Sequence, residues 1–373
     1  MTTAPSDPGP GLRSVLLAGG GSAGHVSPLL ALADALRRDD PSTTVTALGT
    51  SAGLEARLVP ERGYELRTLR KVVFPRRVSG AALRLPRDLA AAVAEAGRAI
   101  DETGAQVVVG FGGYVSSPAY LAAARRGLPI VVHEQNARPG LANRLGATLT
   151  RRVATTFAST RLPHARVVGM PLRAEIAGLD RARERAAARA GFGLEPDRPT
   201  LLVTGGSLGA ARLNSAFGAA AADLVAAGVQ VLHLTGAGKE FTPDVPAGAG
   251  YVTRAYADRM DLAYAAADLV VARSGANTVC ELTAVGLPAI FVPLPIGNGE
   301  QRLNAAGVVQ AGGALLVEDA DVDAAWVGRE VVPLLSDPDR VAAMAAASAG
   351  QGRPGADEAL AAMVREAARG GRR

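Results

Sequence analysis

At 373 residues, 48% of them hydrophobic and 20% charged, the chain has room for two domains with full cores and the balance of a globular protein. Cys280 is the only cysteine, which excludes an intrachain disulfide framework, and the uncharged run 103–124 is broken by Gly110, Gly112, Gly113 and Pro118, which excludes it as a membrane span. A net charge of +5 permits an anionic partner, yet all but two of the 40 basic residues are arginine, a compositional bias rather than a dedicated patch.

Residues 1–11 are rich in Pro and Gly and read as a disordered tail without a signal peptide. Residues 15–18 read as a first strand, 19–25 as a glycine loop, 28–38 as a helix and 45–48 as a second strand. Gly19, Gly21 and Gly24 satisfy Gly-x-Gly-x-x-Gly, so a dinucleotide-dependent oxidoreductase is one alternative. That reading needs an acid about 20 residues on, whereas the second strand ends Leu48-Gly49-Thr50 and Glu55 comes later.

From 67 to 87 basic and apolar residues interleave, including Arg70, Val72, Val73, Phe74, Arg76, Arg77 and Arg84. The pattern suits either a solvated helix face or a patch resting on an anionic membrane. Nucleic acid is disfavoured because Phe74 is the only stacking residue there. A helix over 89–100 and a strand over 107–109 lead to a second glycine loop, 110–114, ending at Tyr114, then a helix over 118–126. A strand over 130–132 ends in His133-Glu134-Gln135-Asn136, polar groups where open α/β sheets bind ligands. Residues 167–173 read as the crossover into a second α/β half. There a strand over 201–203, a third glycine loop 205–210 carrying Ser207, and a helix over 212–227 repeat the alternation.

The most informative stretch follows. Residues 269–272 form a short buried strand; Ser274 is the expected N-cap of a helix; Gly286 stands at a left-handed C-cap, and Pro288 forbids continuation. The start of this helix favours an anion, Glu281 one to two turns in can grip a diol, and Glu300, Gln301 and Asn304 can read a sugar. Anion, diol and sugar together describe a nucleotide-sugar. The Asp319-x-Asp321 pattern resembles a metal motif but reads as helix capping, so no metal is expected.

Ser274-Gly275-Ala276-x-Thr278-x-x-Glu281, then Gly286-Leu287-Pro288-Ala289, then Glu300-Gln301-x-x-Asn304-Ala305 resembles the donor site of the peptidoglycan N-acetylglucosaminyltransferases of glycosyltransferase family 28. The His133–Asn136 segment and the Phe111-Gly112-Gly113-Tyr114 loop resemble the same family. The chain departs from it at Ala23, Met170 and Leu208, where the family usually has Gly, Asn and Gln; Ala23 sits badly with any positive φ there. The resemblance implies an α/β fold of two Rossmann-like domains facing across a cleft, the GT-B architecture. It places the first domain over 12–170 and the second over 171–350, with a last helix over 351–369 returning to the first.

It further implies inverting transfer of N-acetylglucosamine from UDP-N-acetylglucosamine to undecaprenyl-pyrophosphoryl-N-acetylmuramyl-pentapeptide. No cofactor, metal or nucleic acid is expected, and the site of action is an anionic membrane surface on the cytoplasmic face. Donor contacts are expected from Ser22, Ala23, Gly24, Arg173, Ser207, Ala257, Ala276, Asn277, Thr278, Val279, Cys280, Glu281 and Gln301. Tyr114, Glu134, Asn136 and Asn304 are expected to position acceptor or sugar, and His25 to act as base. A UDP-N-acetylglucosamine 2-epimerase of the same architecture and a non-enzymatic basic binder are the remaining alternatives.

Overall fold

The computed structural model describes residues 11–70, 80–206, 209–296 and 298–370, without the side chains of 80–85. The tail expected to be disordered, most of the basic-apolar stretch, Ser207 and Leu208 lie outside the described residues.

The chain forms two compact units, one of residues to Arg173 together with Gly355–Arg373, the other Ala174–Pro354. The first is built on seven parallel strands: β1 Ser14–Ala18, β2 Thr44–Gly49, β3 Glu65–Thr68, β4 Val107–Gly110, β5 Ile130–Glu134, β6 Val153–Thr155 and β7 Ala165–Val167, in the order β3-β2-β1-β4-β5-β6-β7. Successive β1 side chains enter opposite cores. Val15 and Leu17 pack with Leu29, Leu32, Leu360 and Val364; Leu16 and Ala18 pack with Val93, Ile100 and Tyr120. Burial on both faces is why the strand reads as an unbroken apolar run. The helix Ala356–Gly370 thus belongs to the first unit's core, against the helix Ala23–Asp39.

The second unit repeats the plan with β8 Thr200–Thr204, β9 Gln230–Leu234, β10 Tyr251–Arg254, β11 Leu269–Ala272, β12 Ala289–Phe291 and β13 Ala314–Leu316, ordered β10-β9-β8-β11-β12-β13. In each sheet the order reverses once, between β1 and β4 and between β8 and β11. At such a switch point the loops leaving the strand ends splay apart and open a crevice. All four loops there carry glycine, 19–22, 111–112, 205–209 and 273–275.

The helices after the first two loops begin five residues earlier than the sequence pattern suggests. They span Ala23–Asp39 and Gly113–Arg125, so Pro28 and Pro118 are each the sixth helical residue rather than the first. Interior proline removes one ladder hydrogen bond, a cost of about 3 kcal/mol. Both rings are buried, and their packing offsets part of it. His25 therefore stands in the first turn of a helix and not in the glycine loop. The single helix expected over 212–227 is two, Ala211–Ala219 and Ala221–Ala226.

Candidate functional site

In the first unit the loops after β1, β4 and β5 meet around His25. Gly21 takes the left-handed conformation (φ 86°), while Ser22 is extended and Ala23 opens the helix. The demand for positive φ thus falls on Gly21, and alanine at position 23 carries no strain. Ser22 makes no side-chain capping bond, and with Ala23 and Gly24 it lines the turn beside His25. A carboxylate holds this turn. Glu55, fully buried, accepts from the Gly21 amide at 2.9 Å and from the Thr50 amide and hydroxyl at 2.9 and 2.8 Å. Burial works against its charge, but these donors outweigh it and keep the carboxyl below its ordinary value. The acid that stands too late in sequence for a ribose is spent on the loop itself.

Gly113 (φ 76°) brings the second loop against the first. A side chain there would meet the Gly20 carbonyl at 2.7 Å and the His25 ring at 3.3 Å. Tyr114, in the first turn of its helix, is 43% exposed. At the end of β5, Glu134 is buried, and its oxygens accept from the Asn136 and Gly140 amides at 2.9 Å and from Asn143 Nδ2 at 3.0 Å. Its carboxylate shapes the 135–140 loop, while the half-buried Asn136 is the group of this segment that can reach outward. Gln135, not among the expected site residues, is 1% exposed, and its Oε1 lies 3.0 Å from His25 Nδ1. Its Nε2 lies 2.9 Å from both His133 Nδ1 and the His133 carbonyl. Arg173 is the last residue of the first of this unit's two segments.

In the second unit the pairing of Ala272 with Thr204 sets the third glycine loop beside the donor stretch. Gly275, not Ser274, is the N-cap of the helix Ala276–Ala284. Ser274 is fully buried and its carbonyl accepts from Asn304 Nδ2 at 3.3 Å. Asn304, 1% exposed, therefore braces the turn rather than facing a sugar. The Val279 amide makes the first ladder bond, to Gly275, so the amides of Ala276, Asn277 and Thr278 precede the ladder. The side chains of Ala276 and Val279 are buried, and Cys280 lies on the same short helix, its thiol pushed up by burial and by Glu281. Glu281 is half-exposed, and the hydroxyl of buried Tyr264 donates to its Oε2 at 2.7 Å. Gln301 Oε1 accepts from the Leu294 amide at 3.0 Å, and Ala257 is buried, leaving main-chain groups for contact.

The run Asp319-x-Asp321-x-Asp323 divides its work. Asp323 is the residue that caps a helix, through the Trp326 amide, whereas Asp319 forms a 2.6 Å ion pair with Arg273, the residue leading into the donor turn. The sequence drew attention to Glu55 and Gln135 but not to what they hold, and gave no signal for Tyr264, because Gly21, His25 and Glu281 are partners distant along the chain.

Comparison with known proteins bears on both units. The glycosyltransferase family 28 N-terminal domain matches residues 15–155 and the family 28 C-terminal domain residues 200–360. A UDP-N-acetylglucosamine--N-acetylmuramyl-(pentapeptide) pyrophosphoryl-undecaprenol N-acetylglucosamine transferase of Nocardioides sp. is 58% identical over 355 residues, 94% of this chain and 97% of its own length. The crystal structure of Acinetobacter baumannii MurG superposes with a TM-score of 0.76 at 27% identity, over 95% of this chain and 99% of that one. UDP-GlcNAc 2-epimerase from Neisseria meningitidis reaches 0.67 at 13% identity, over 95% and 100%, a likeness of fold alone. Matched in both halves by the family's two domains, the chain belongs to glycosyltransferase family 28.

Proposed function

We infer that the chain transfers N-acetylglucosamine from UDP-N-acetylglucosamine to the muramyl sugar of undecaprenyl-pyrophosphoryl-muramyl-pentapeptide, the lipid-linked precursor of peptidoglycan. The observation that carries this reading is the 58% identity to a transferase of that name, which spans both units and every motif of the site. The epimerase alternative has only the fold in its favour.

The reaction is a direct displacement. A hydroxyl of the muramyl sugar attacks the anomeric carbon, UDP departs with the bonding pair, and the configuration inverts. His25 takes the hydroxyl proton. The leaving diphosphate gathers charge, which the amides at the start of the helix Ala276–Ala284, with Arg173 and Ser207, stabilise. Glu281 accepts from the ribose hydroxyls, and Tyr114 and Asn136 align the acceptor. No divalent cation is required. Asp319 is committed to Arg273, and amides with arginine carry the charge that a metal would.

The acceptor's lipid places the work at an anionic membrane surface. No described helix is long and apolar enough to cross a bilayer. The contact with the acceptor's membrane is peripheral, at the cytoplasmic face. The stretch 71–87 supplies it, while Arg70 is held by Glu95 at 2.7 Å and adds little free charge. Nucleic acid is not a partner.

Radiolabelled UDP-N-acetylglucosamine, with lipid acceptor in anionic vesicles and a chelator present, tests the reading in one assay. Labelled lipid should form, and the protein should sediment with the vesicles, less at high salt. Label that stays water-soluble would refute the transferase. Activity that returns only with magnesium would refute metal independence. Transfer without sedimentation would remove the membrane contact.

A further inference from the structure

Only one proton is shared between the two nitrogens of a neutral imidazole, and the nitrogen without it is the base. Which one that is at His25 follows from a chain of hydrogen bonds that begins at a backbone carbonyl. The Gly169 carbonyl can only accept, and His133 Nε2 lies 2.9 Å from it, so the His133 proton is on Nε2. His133 is fully buried, and burial lowers its pKa to about 4 despite the Gly169 bond, so it stays neutral. Its Nδ1 is then a lone pair, which accepts from Gln135 Nε2 at 2.9 Å.

The same Gln135 nitrogen donates to the His133 carbonyl, also at 2.9 Å. Two acceptors on one side fix which end of the amide is which. Gln135 Oε1 must face the other way, 3.0 Å from His25 Nδ1, and an oxygen there requires a proton on that nitrogen. Among the described residues His25 Nε2 has no hydrogen-bond partner. The second glycine loop runs beside the ring: a side chain at Gly112 or Gly113 would come within 3.1–3.3 Å of it.

We propose that Gln135 is a positioning residue that holds the His25 proton on Nδ1 and so makes Nε2 the basic nitrogen, with His133 and the Gly169 carbonyl orienting its amide. The tautomer is a property of the resting protein. Its catalytic consequence rests on His25 being the base. Proton transfer then goes from the acceptor hydroxyl to Nε2, giving an imidazolium whose Nδ1–H remains on Gln135.

The test reads the tautomer directly. The full chain, labelled with ¹⁵N-histidine, holds four histidines, and loss of one signal set in His25→Gln assigns His25. Long-range ¹H–¹⁵N correlation spectra at neutral pH should show a protonated Nδ1 in the native protein. Gln135→Leu should move the proton to Nε2 and lower kcat by about 10²–10⁴-fold, the range for a lost or misdirected base, with KM for the donor unchanged. Gln135→Glu keeps an oxygen towards Nδ1 and should hold the proton there, but its second oxygen meets the His133 lone pair and carbonyl where the amide donated, so the tautomer and not the turnover is read from it. If the leucine variant does not fold, the native protein and the glutamate variant still decide. A native His25 protonated on Nε2, or a leucine variant that keeps its Nδ1 proton, overturns the proposal. A tautomer that switches while His25→Ala retains turnover upholds the role of Gln135 and removes His25 as the base.

Discussion

The sequence places Glu281 one to two turns into the helix that follows the turn 273–275, and the structure puts it there, half-exposed. What could not be read is that a tyrosine 17 positions upstream holds one of its oxygens. That hydrogen bond holds Oε2 of the carboxylate in place. Loss of Glu281 removes a charged hydrogen-bonding partner, worth roughly 1.5–3 kcal/mol, or about 10–150-fold in affinity. Glu281→Ala should weaken UDP binding by that amount in calorimetry. Tyr264→Phe should produce a smaller loss, since the carboxylate stays but is less well aimed. A 2′-deoxy donor should bind the native protein poorly and penalise Glu281→Ala little. Equal penalties in both proteins would take Glu281 off the ribose.

At the scale of elements, the longer buried strands beside the two switch points were legible as apolar runs covered on both faces, whereas Glu65–Thr68, Val153–Thr155, Tyr251–Arg254 and Ala314–Leu316 were too short or too mixed to read. The edge strand Ala165–Val167 was not legible either, being three exposed residues with no such run. The helix starts were misplaced for one reason. Proline is the usual marker of a first turn, and here it occupies the sixth position of both glycine-loop helices. Asn304 was misread as a sugar contact because sequence shows polarity and not burial. The glycine turn after β1 was legible as a turn but not as something fastened by Glu55. The carboxyl of Glu55 is depressed in the fold, so its contribution is present above the unfolded value and is lost as pH falls through the folded one. Glu55→Gln places an amide N–H against a donor and should cost about 1.5–3 kcal/mol at neutral pH. Thermal unfolding of both proteins checks this. The gap should narrow as pH drops below the ordinary carboxylate value of 4.5; a gap independent of pH would mean the charge is not what holds the turn.

Taken whole, the molecule builds one architecture twice, and each copy keeps its chemistry at the point where strand order reverses. The doubling was visible in the restart of the strand-and-glycine pattern near residue 200, and the family resemblance supplied the substrates. Among all 373 residues a single thiol occurs, and it sits in the second copy, one position before Glu281. Burial and that carboxylate both keep it protonated, and only the thiolate reacts. Cys280 is therefore a built-in reporter on the helix Ala276–Ala284. Alkylation by iodoacetamide, followed by intact mass, should be slow in the native chain and fast in urea. Saturating UDP-N-acetylglucosamine should slow it further by seating on the same helix, and a rate indifferent to the donor would mean that this helix does not hold it. The thiol is half-buried and held protonated, so the adduct reports changes around this helix that an assay of turnover cannot see.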